Sequence, residues 1–267
     1  MSFVRRSFLL LLSLSLFSTT GQAVVVDWDT LTWTPGTLTN SYNVDPAKAG
    51  NDITVTVTGN TGQLQPELVA PNPQTPAITT NFQGGLGTAQ NTLSIAVNFT
   101  DQSQSVTITI DFSALYSLGV QNVSFQLFDF DFASATGNNY QDRLSGITAL
   151  SIDGTTLVAP TITTSSANTR TGTGFTQVVT GIASVSDTGG SSGNGNVTIS
   201  FGTTAIKSFT FTYGSGSGTV PDPTYQHVGI HDITFTPVPE LNPTWTAVGS
   251  CLAAFALILR HSAKFRK

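Results

Sequence analysis

The sequence predicts an all-β protein, an antiparallel sandwich of two sheets with a jelly roll as the favoured topology. Many short stretches alternate apolar and hydroxyl residues with a period of two, as residues 53–57 do. Clusters of Gly, Asn, Asp and Pro separate these stretches, which is typical of turns between short strands. No unit of about 20 to 50 residues repeats, which argues against a solenoid or a propeller.

The predicted strands share this alternation and end at turn residues; in chain order they lie at 24–33, 53–57, near 78, 93–99, 106–110, 123–132, 147–152, 178–185, 197–201, 206–213 and 228–235. We expect 93–99 to pair with 106–110 around a turn at Asp101. We also expect 197–201 to pair with 206–213. Asp153-Gly154 is a hairpin turn signal after 147–152.

The segments between the strands are predicted from their composition. Four prolines in 59–87 exclude a central strand and indicate a long surface loop with one edge strand near Ile78. The stretches 163–174 and 188–195 are rich in Ser, Thr, Gly and Asn, which predicts loops. Residues 114–118 are expected to form one helical turn that ends before Gly119.

Two of the predicted strands change phase along their length. In 123–132 the apolar side chains occupy odd positions up to Leu127 and even positions from Phe128 onwards. In 228–235 the same change occurs at His231-Asp232. Because alternation along a strand has a period of two, a change of phase implies a bulge or a sharp local twist.

The N-terminal residues are typical of a secretory signal peptide. Arg5 and Arg6 form a basic region, residues 8–17 an apolar region, and small residues ending at Ala23 precede a cleavage position. We therefore predict a signal peptide at 1–23 that signal peptidase removes. The paired arginines also fit a twin-arginine signal, but the strongly hydrophobic region favours the general secretory route.

The C-terminal residues 238–267 combine a short polar motif, an apolar run and a basic end. Val238-Pro239-Glu240 precedes an apolar run at 244–259, and a basic cluster closes the chain. As a helix the run would span roughly 24 Å, less than the hydrocarbon core of about 30 Å. We therefore predict a short membrane helix with its basic end in the cytoplasm. A permanent single-span anchor is the alternative.

This order of features resembles the PEP-CTERM sorting signal of Gram-negative bacterial surface proteins. Leu241 stands where the usual signal has a second proline, and a proline follows only at Pro243. The resemblance implies processing by exosortase, a membrane transpeptidase with a cysteine nucleophile, at Val238-Pro239-Glu240. It further implies secretion across the inner membrane, transient membrane association through the C-terminal helix, and final residence at the cell surface or in the extracellular matrix of a biofilm.

The body of the chain, 24–237, also resembles β-sandwich domains of bacterial surface proteins that carry such tails. The resemblance lies in short motifs such as Phe128-Asp129-Phe130-Asp131 and Gly229-Ile230-His231-Asp232-Ile233. It implies a sandwich fold and surface residence, and it implies no reaction.

The body is acidic and sparsely charged. Glu67 is its single glutamate among many aspartates, and its only cations are Lys48, Arg143, Arg170 and Lys207. This balance argues against nucleic acid, which requires a basic surface, and suits cations, neutral glycans or other proteins. The one cysteine, Cys251, lies in the tail, so we expect neither a disulfide nor a cysteine-ligated metal in the body.

Asp129, Asp131 and Asp142 are the candidate ligands of a calcium ion. Asp129 and Asp131 are expected on one face of a strand, about 7 Å apart, and the following loop would bring Asp142 close to them. Gln141 or Asn138 would complete an oxygen shell. The spacing matches no EF-hand loop. The alternative is that the three aspartates face water at a sheet edge and discourage edge pairing.

The sequence predicts no catalytic residues and therefore a protein that is not an enzyme. Residues 189–193 match the letters of a nucleophile elbow, but the strand and helix that this motif needs are absent from the predicted loop. His227 and His231 would lie about 13 Å apart on a strand, too far to share a metal, and are expected to be solvated. No pair of carboxylates is marked for glycoside hydrolysis.

Two functions from different classes fit these observations. The favoured one is a structural component of the extracellular polysaccharide matrix, with exopolysaccharide as its partner. The alternative is a carbohydrate-binding module that uses exposed aromatic side chains as stacking platforms; the candidates are Trp28, Trp33, Tyr140 and Tyr225. The first is favoured because many aromatic side chains of a sandwich belong to its core.

Overall fold

The computed structural model describes residues 21–68, 70–88, 90–135, 138–184 and 192–240. Its strands are β1 Val24–Val26, β2 Thr39–Tyr42, β3 Ile53–Gly59, β4 Ala77–Thr79, β5 Thr92–Val97, β6 Ser105–Asp111, β7 Val120–Phe128, β8 Phe132–Ala135, β9 Asn138–Ser151, β10 Leu157–Val158, β11 Thr161–Thr164, β12 Asn168–Thr171, β13 Val178–Gly181, β14 Val197–Ser200, β15 Ile206–Ser215, β16 Gln226–Ile230 and β17 Ile233–Pro237. The helical elements in this part of the chain are two short 3-10 helices, Thr61–Gln63 and Gly174–Thr176.

The strands pair in two runs, and every pairing among them is antiparallel. The first run has the order β2-β3-β6-β15-β9-β13-β12. The second has the order β4-β5-β16-β7-β14-β11, and β17 continues beside β7 with β1 at its outer side. A bridge between Ile206 and Val120 joins the two runs. The prediction of an all-β antiparallel fold is confirmed, with the sheet curled around one core.

Aromatic rings hold the two runs against each other. The ring of Phe209 in β15 stacks on that of Phe125 in β7, with centroids 4.9 Å apart and an interplanar angle of 20°. Phe112 contacts Phe209 on one side and Phe235 of β17 on the other. All of these side chains are buried. Because the Phe125–Phe209 and Phe112–Phe235 contacts each join one run to the other, the core lies between the two runs.

Both predicted phase changes occur as breaks between strands. β7 ends at Phe128 and β8 begins at Phe132, and Asp129 between them has a φ of 62°. This left-handed conformation turns the chain, because few residues other than glycine adopt it within a regular strand. The second break, at His231-Asp232, separates β16 from β17. The chain therefore changes neighbours there, from β5 to β1.

The hairpin predicted at Asp153-Gly154 is confirmed, because β9 pairs with β10 across this turn. The other two predicted hairpins are wrong. β5 pairs with β4 and β16, whereas β6 pairs with β3 and β15. Likewise β14 pairs with β11 and β7, whereas β15 pairs with β6 and β9. In both cases the connection crosses from the second run to the first. Turn residues end a strand both in a hairpin and in a connection that crosses to the other run. Composition therefore does not distinguish a hairpin from a crossing connection.

Several predicted boundaries are also wrong. The first strand stops at Val26 because a turn begins at Asp27, whose carbonyl accepts a hydrogen bond from Thr30 N at 3.1 Å. The stretch 163–174, expected to be a loop, contains β12. Residues 114–118 form turns rather than a helix, closed by a hydrogen bond from Gly119 N to the Tyr116 carbonyl at 2.9 Å. The edge strand near Ile78 is confirmed as β4.

The two ends of the described chain leave the fold side by side. β1 pairs with β17 in a register that places Val24 opposite Phe235, and Gly21 lies against the Pro237 carbonyl. Most of the predicted signal peptide and the whole predicted C-terminal helix lie outside the described residues. No helix within the described ranges has the length and apolar character of a membrane span.

We expect the Phe209→Ala substitution to lower the free energy of unfolding by about 3–5 kcal/mol, because it leaves a cavity among three aromatic rings. The matched control is Phe175→Ala, since Phe175 is 48% exposed and should change stability by about 0.5 kcal/mol or less. Urea unfolding measures both. Equal losses in the two variants would contradict a core centred on Phe209.

Candidate functional site

Asp131 and Asp142 lie together, buried beside two tyrosines. Asp131 N donates a hydrogen bond to Asp142 Oδ2 at 2.8 Å, and the Tyr213 hydroxyl donates to Asp142 Oδ1 at 2.6 Å. Asp142 N in turn donates to the Asp131 carbonyl at 3.0 Å. Both aspartates are 0% exposed. The alternative in which these aspartates face water at a sheet edge is therefore wrong.

The surroundings of Asp142 favour its protonated form. Burial first, and then the charge of Asp131, raise the pKa of the Asp142 carboxyl well above its usual range. Burial and the charge of Asp142 raise the pKa of the Tyr213 hydroxyl in the same way. Burial and the charges of both aspartates also raise the pKa of Tyr140. The tyrosines therefore stay protonated and act as hydrogen-bond donors to the buried acids.

Asp129 faces a different partner, the imidazole of His227. His227 Nε2 lies 2.7 Å from Asp129 Oδ2, and Nδ1 lies 3.7 Å from Glu67 Oε2. Glu67 is itself buried and accepts hydrogen bonds from the Ser94 hydroxyl and, at 3.0 Å, from the Asn81 amide. His227 thus bridges two carboxylates that come from distant parts of the chain.

The two carboxylates keep His227 charged. Burial alone would lower its pKa, but the hydrogen bond to Asp129 and the interaction with Glu67 outweigh burial and raise the pKa to about 10. The side chain is 21% exposed, so the expectation of a solvated histidine is wrong. His231 differs, because burial lowers its pKa and its ring stacks on Phe128 with centroids 4.8 Å apart.

The same contacts fix the proline-rich stretch 59–87 on the body. Besides Glu67, the Phe82 ring of this stretch meets His227 edge-on at 4.6 Å. The Tyr225 hydroxyl donates a hydrogen bond to the Pro66 carbonyl at 3.1 Å. Sequence reasoning missed this network. The available signal was that Glu67 is the only glutamate of an otherwise aspartate-rich body.

The predicted calcium ligands are therefore divided between two neighbouring networks. In the described part of the chain, no group of three or more His, Cys, Asp or Glu side chains is arranged to hold a metal ion. Gln141, expected to complete the shell, instead accepts a hydrogen bond from Gly218 N and donates one to the Gly181 carbonyl, both at 2.8 Å. The calcium site stays a prediction.

The predicted aromatic platforms are largely part of the core. Trp28 and Trp33 are 0% and 6% exposed, and both rings pack against Tyr42. Tyr140 and Tyr225 are only partly exposed. The alternative in which the tryptophans form exposed platforms is wrong, because both side chains belong to the buried core.

The Val238-Pro239-Glu240 motif lies at the surface directly after β17. Val238 N donates a hydrogen bond to the Gly119 carbonyl at 3.1 Å. Glu240 Oε1 accepts a hydrogen bond from the Ser117 hydroxyl at 3.0 Å and lies 3.6 Å from Lys48 Nζ. The Glu240 side chain is 49% exposed, so the motif rests against the body while its last two residues face solvent.

No protein family and no curated protein matches the chain by sequence. One similar solved structure is the family 11 carbohydrate-binding module from Clostridium thermocellum in complex with a β-1,3-1,4-mixed-linked tetrasaccharide; the identity is 12%, the match covers 84% of this chain and 100% of that one, and the TM-score is 0.32. Another is the N-terminal domain of the Streptococcus gordonii adhesin Sgo0707; the identity is 8%, the coverage 80% and 57%, and the TM-score 0.33. Likeness at this level assigns neither a family nor a ligand.

We expect wild-type stability to fall as the pH rises from about 7 to 9.5. The folded pKa of His227 is about 10, above the unfolded value of about 6.5. Its contribution is therefore complete below pH about 6.5 and is lost as the pH rises towards the folded pKa. The expected loss over this range is about 2–3 kcal/mol, measured by urea unfolding. His227→Gln should flatten this slope and His231→Gln should retain it; equal slopes in both variants would refute the role of His227.

A calcium site would raise the melting temperature of the purified protein when calcium is present well above its dissociation constant. The matched measurement contains a chelator in place of calcium. A stabilisation that Asp131→Ala abolishes is the outcome expected of a site formed by Asp129, Asp131 and Asp142. An unchanged melting temperature with calcium and with chelator would end the calcium hypothesis.

Proposed function

We propose that this chain is a secreted, exosortase-processed structural protein of the cell surface or the extracellular polysaccharide matrix. The observation that carries this proposal is the position of Val238-Pro239-Glu240. The motif begins directly after β17, and its Pro and Glu are exposed. A processing enzyme would therefore reach the motif without unfolding the body. The apolar run and basic end that follow in the sequence would hold the precursor at the membrane meanwhile.

The arrangement of the two ends supports the same proposal. Because β1 pairs with β17, the predicted signal peptide and the predicted sorting tail emerge from one edge of the body. The precursor would then hang from the membrane at a single place during export, with the rest of its surface accessible. For the body itself we propose a two-sheet sandwich of the jelly-roll type, in which connections cross between the two runs.

A structural role suits the described surface better than catalysis or aromatic stacking. A catalytic pair for glycoside hydrolysis must be accessible to its substrate and to water. The buried acids Asp131 and Asp142 have no access to solvent. Trp28 and Trp33 are in the core. The two largest aromatic rings are therefore not available as stacking platforms for a carbohydrate-binding module. The acidic body also gives no basic surface for nucleic acid.

We expect replacement of Pro239-Glu240 by Ala-Ala to leave the tail attached and the protein in the membrane fraction. The reason is that the replacement removes the residues that the processing enzyme would recognise. Mass spectrometry of the mature C-terminus and cell fractionation measure the result. Lys48→Ala is the matched control, because it removes the ion pair to Glu240 and keeps the motif; processing should continue in this variant. Wild-type protein that retains Arg260 to Lys267 would show that the tail is a plain anchor.

A further inference from the structure

A polar pocket opens on the outer side of the first run. Its lining residues come from the β5–β6 connection, from β9 and β13, and from the end of β15 and the loop after it; they are Gln102, Arg143, Thr180, Ser215, Gly216 and Ser217. Asp142 and Leu144, the neighbours of Arg143 in β9, are buried. Because side chains alternate along a strand, Arg143 points away from the core and into this pocket.

Hydrogen bonds hold the pocket wall in place. Gly218 N donates to Gln141 Oε1 at 2.8 Å, and the Gln102 amide donates to the Thr219 carbonyl at 2.6 Å. The Thr219 hydroxyl donates to Asn139 Oδ1 at 2.8 Å. The loop after β15 is thus fixed to β9 and to the β5–β6 connection. A preformed wall reduces the conformational entropy that the loop loses when a ligand binds.

The pocket contains one cation whose hydrogen-bonding capacity is mostly unused. Arg143 Nη1 donates to the Ser145 hydroxyl at 3.2 Å, and no ion pair joins Arg143 to a carboxylate in the described ranges. None of the other lining residues is acidic. A guanidinium has five N–H donors in a planar fork that matches a carboxylate. A planar anion such as a carboxylate would pair with this fork.

The remaining lining groups suit a ligand with many hydroxyls. Thr180 and Ser217 are the lining residues whose hydroxyls are available to a ligand, and the amide of Gln102 presents a carbonyl oxygen. The Ser215 hydroxyl is buried and donates to Gln226 Oε1 instead. The cavity volume is about 240 Å³, below the roughly 300–1,000 Å³ of sites for drug-sized ligands. One carboxylate, several hydroxyls and this small volume together describe a single sugar acid.

The surface beside the pocket allows this sugar to belong to a polymer. Ser145, next to Arg143 on the same face, is paired with Thr212, which is paired with Thr107. Thr58 follows on β3. These hydroxyl residues form a row across four strands, spaced by about 4.8 Å, and the Thr107 and Thr212 hydroxyls lie 3.0 Å apart. Neighbouring sugars would meet hydroxyls along this row.

We propose that the pocket around Arg143 binds a uronate unit of an acidic polysaccharide, with the guanidinium paired to the sugar carboxylate. This proposal rests on the proposed function in that the matrix supplies the polymer, and it names the class of that polymer. The fork of Arg143 selects the carboxylate, and the hydroxyl row receives the adjoining sugars.

The test measures binding of a galacturonate hexamer to the full chain purified in detergent, by isothermal titration calorimetry. The fully methyl-esterified hexamer is the matched ligand, because it keeps the hydroxyls and loses the charge. We expect the charged hexamer to bind and the ester to bind at least about 10-fold more weakly. Arg143→Gln should weaken binding of the charged hexamer by about 10- to 100-fold, and Arg143→Lys should restore only part of it, because an ammonium lacks the fork.

Arg170→Gln is the matched control variant. It removes the same charge from an exposed arginine that already donates to the Ile162 carbonyl and to Gln177 Oε1. Binding should be unchanged in this variant. Absence of binding, equal binding of the ester, or an equal loss in Arg170→Gln would overturn the proposal, as would inorganic phosphate that competes at the same concentration. Tail processing is measured separately by mass spectrometry, so failure of the pocket leaves the proposed function standing, and the reverse also holds.

Discussion

The stack of Phe209 on Phe125 is the contact on which the rest of the fold depends, because it joins the two runs of strands at the centre of the core. The body has no cysteine, so burial of apolar side chains must supply most of its stability. Because successive side chains of β9 and β15 point to opposite faces, the face of these strands away from the core is exposed to solvent. The inward rings and the outward row of Ser145, Thr212 and Thr107 are two results of one alternating pattern.

Buried ionisable groups hold in place the segments that lie outside the regular strands. Removing a charge from water is unfavourable unless a partner compensates for it. His227 compensates Asp129 and Glu67 at once, so the proline-rich stretch is held to the body although it contributes few paired strands. Asp142 stabilises the break between β7 and β8 by hydrogen bonding, because it accepts hydrogen bonds from Asp131 N and from the Tyr213 hydroxyl. The breaks in the strands and the buried polar groups thus occur together.

The sequence predicted the positions of most strands and both phase changes, because these depend on the order of apolar and polar residues alone. It did not predict the partners of β5, β6, β14 and β15, since alternation specifies which face is buried and carries no information about the neighbouring strand. For the site, Asp131 and Asp142 were correctly expected to be close. The sequence grouped Asp129 with these two residues. Their separation could not be predicted, because nothing in the sequence indicates that this aspartate adopts a positive φ. The pairing of Glu67 with His227 joins distant parts of the chain, which no local pattern records.

The position of β17 determines how the protein would respond to mechanical force. This strand lies between β7 and β1, and the chain continues from it directly into the tail. A pull on the tail along the strand axis would load the hydrogen bonds on both sides of β17 in shear. Bonds loaded in shear share the force and must break nearly together, whereas bonds that are peeled break one at a time. A protein held by its tail would therefore transmit tension into the whole body through β17.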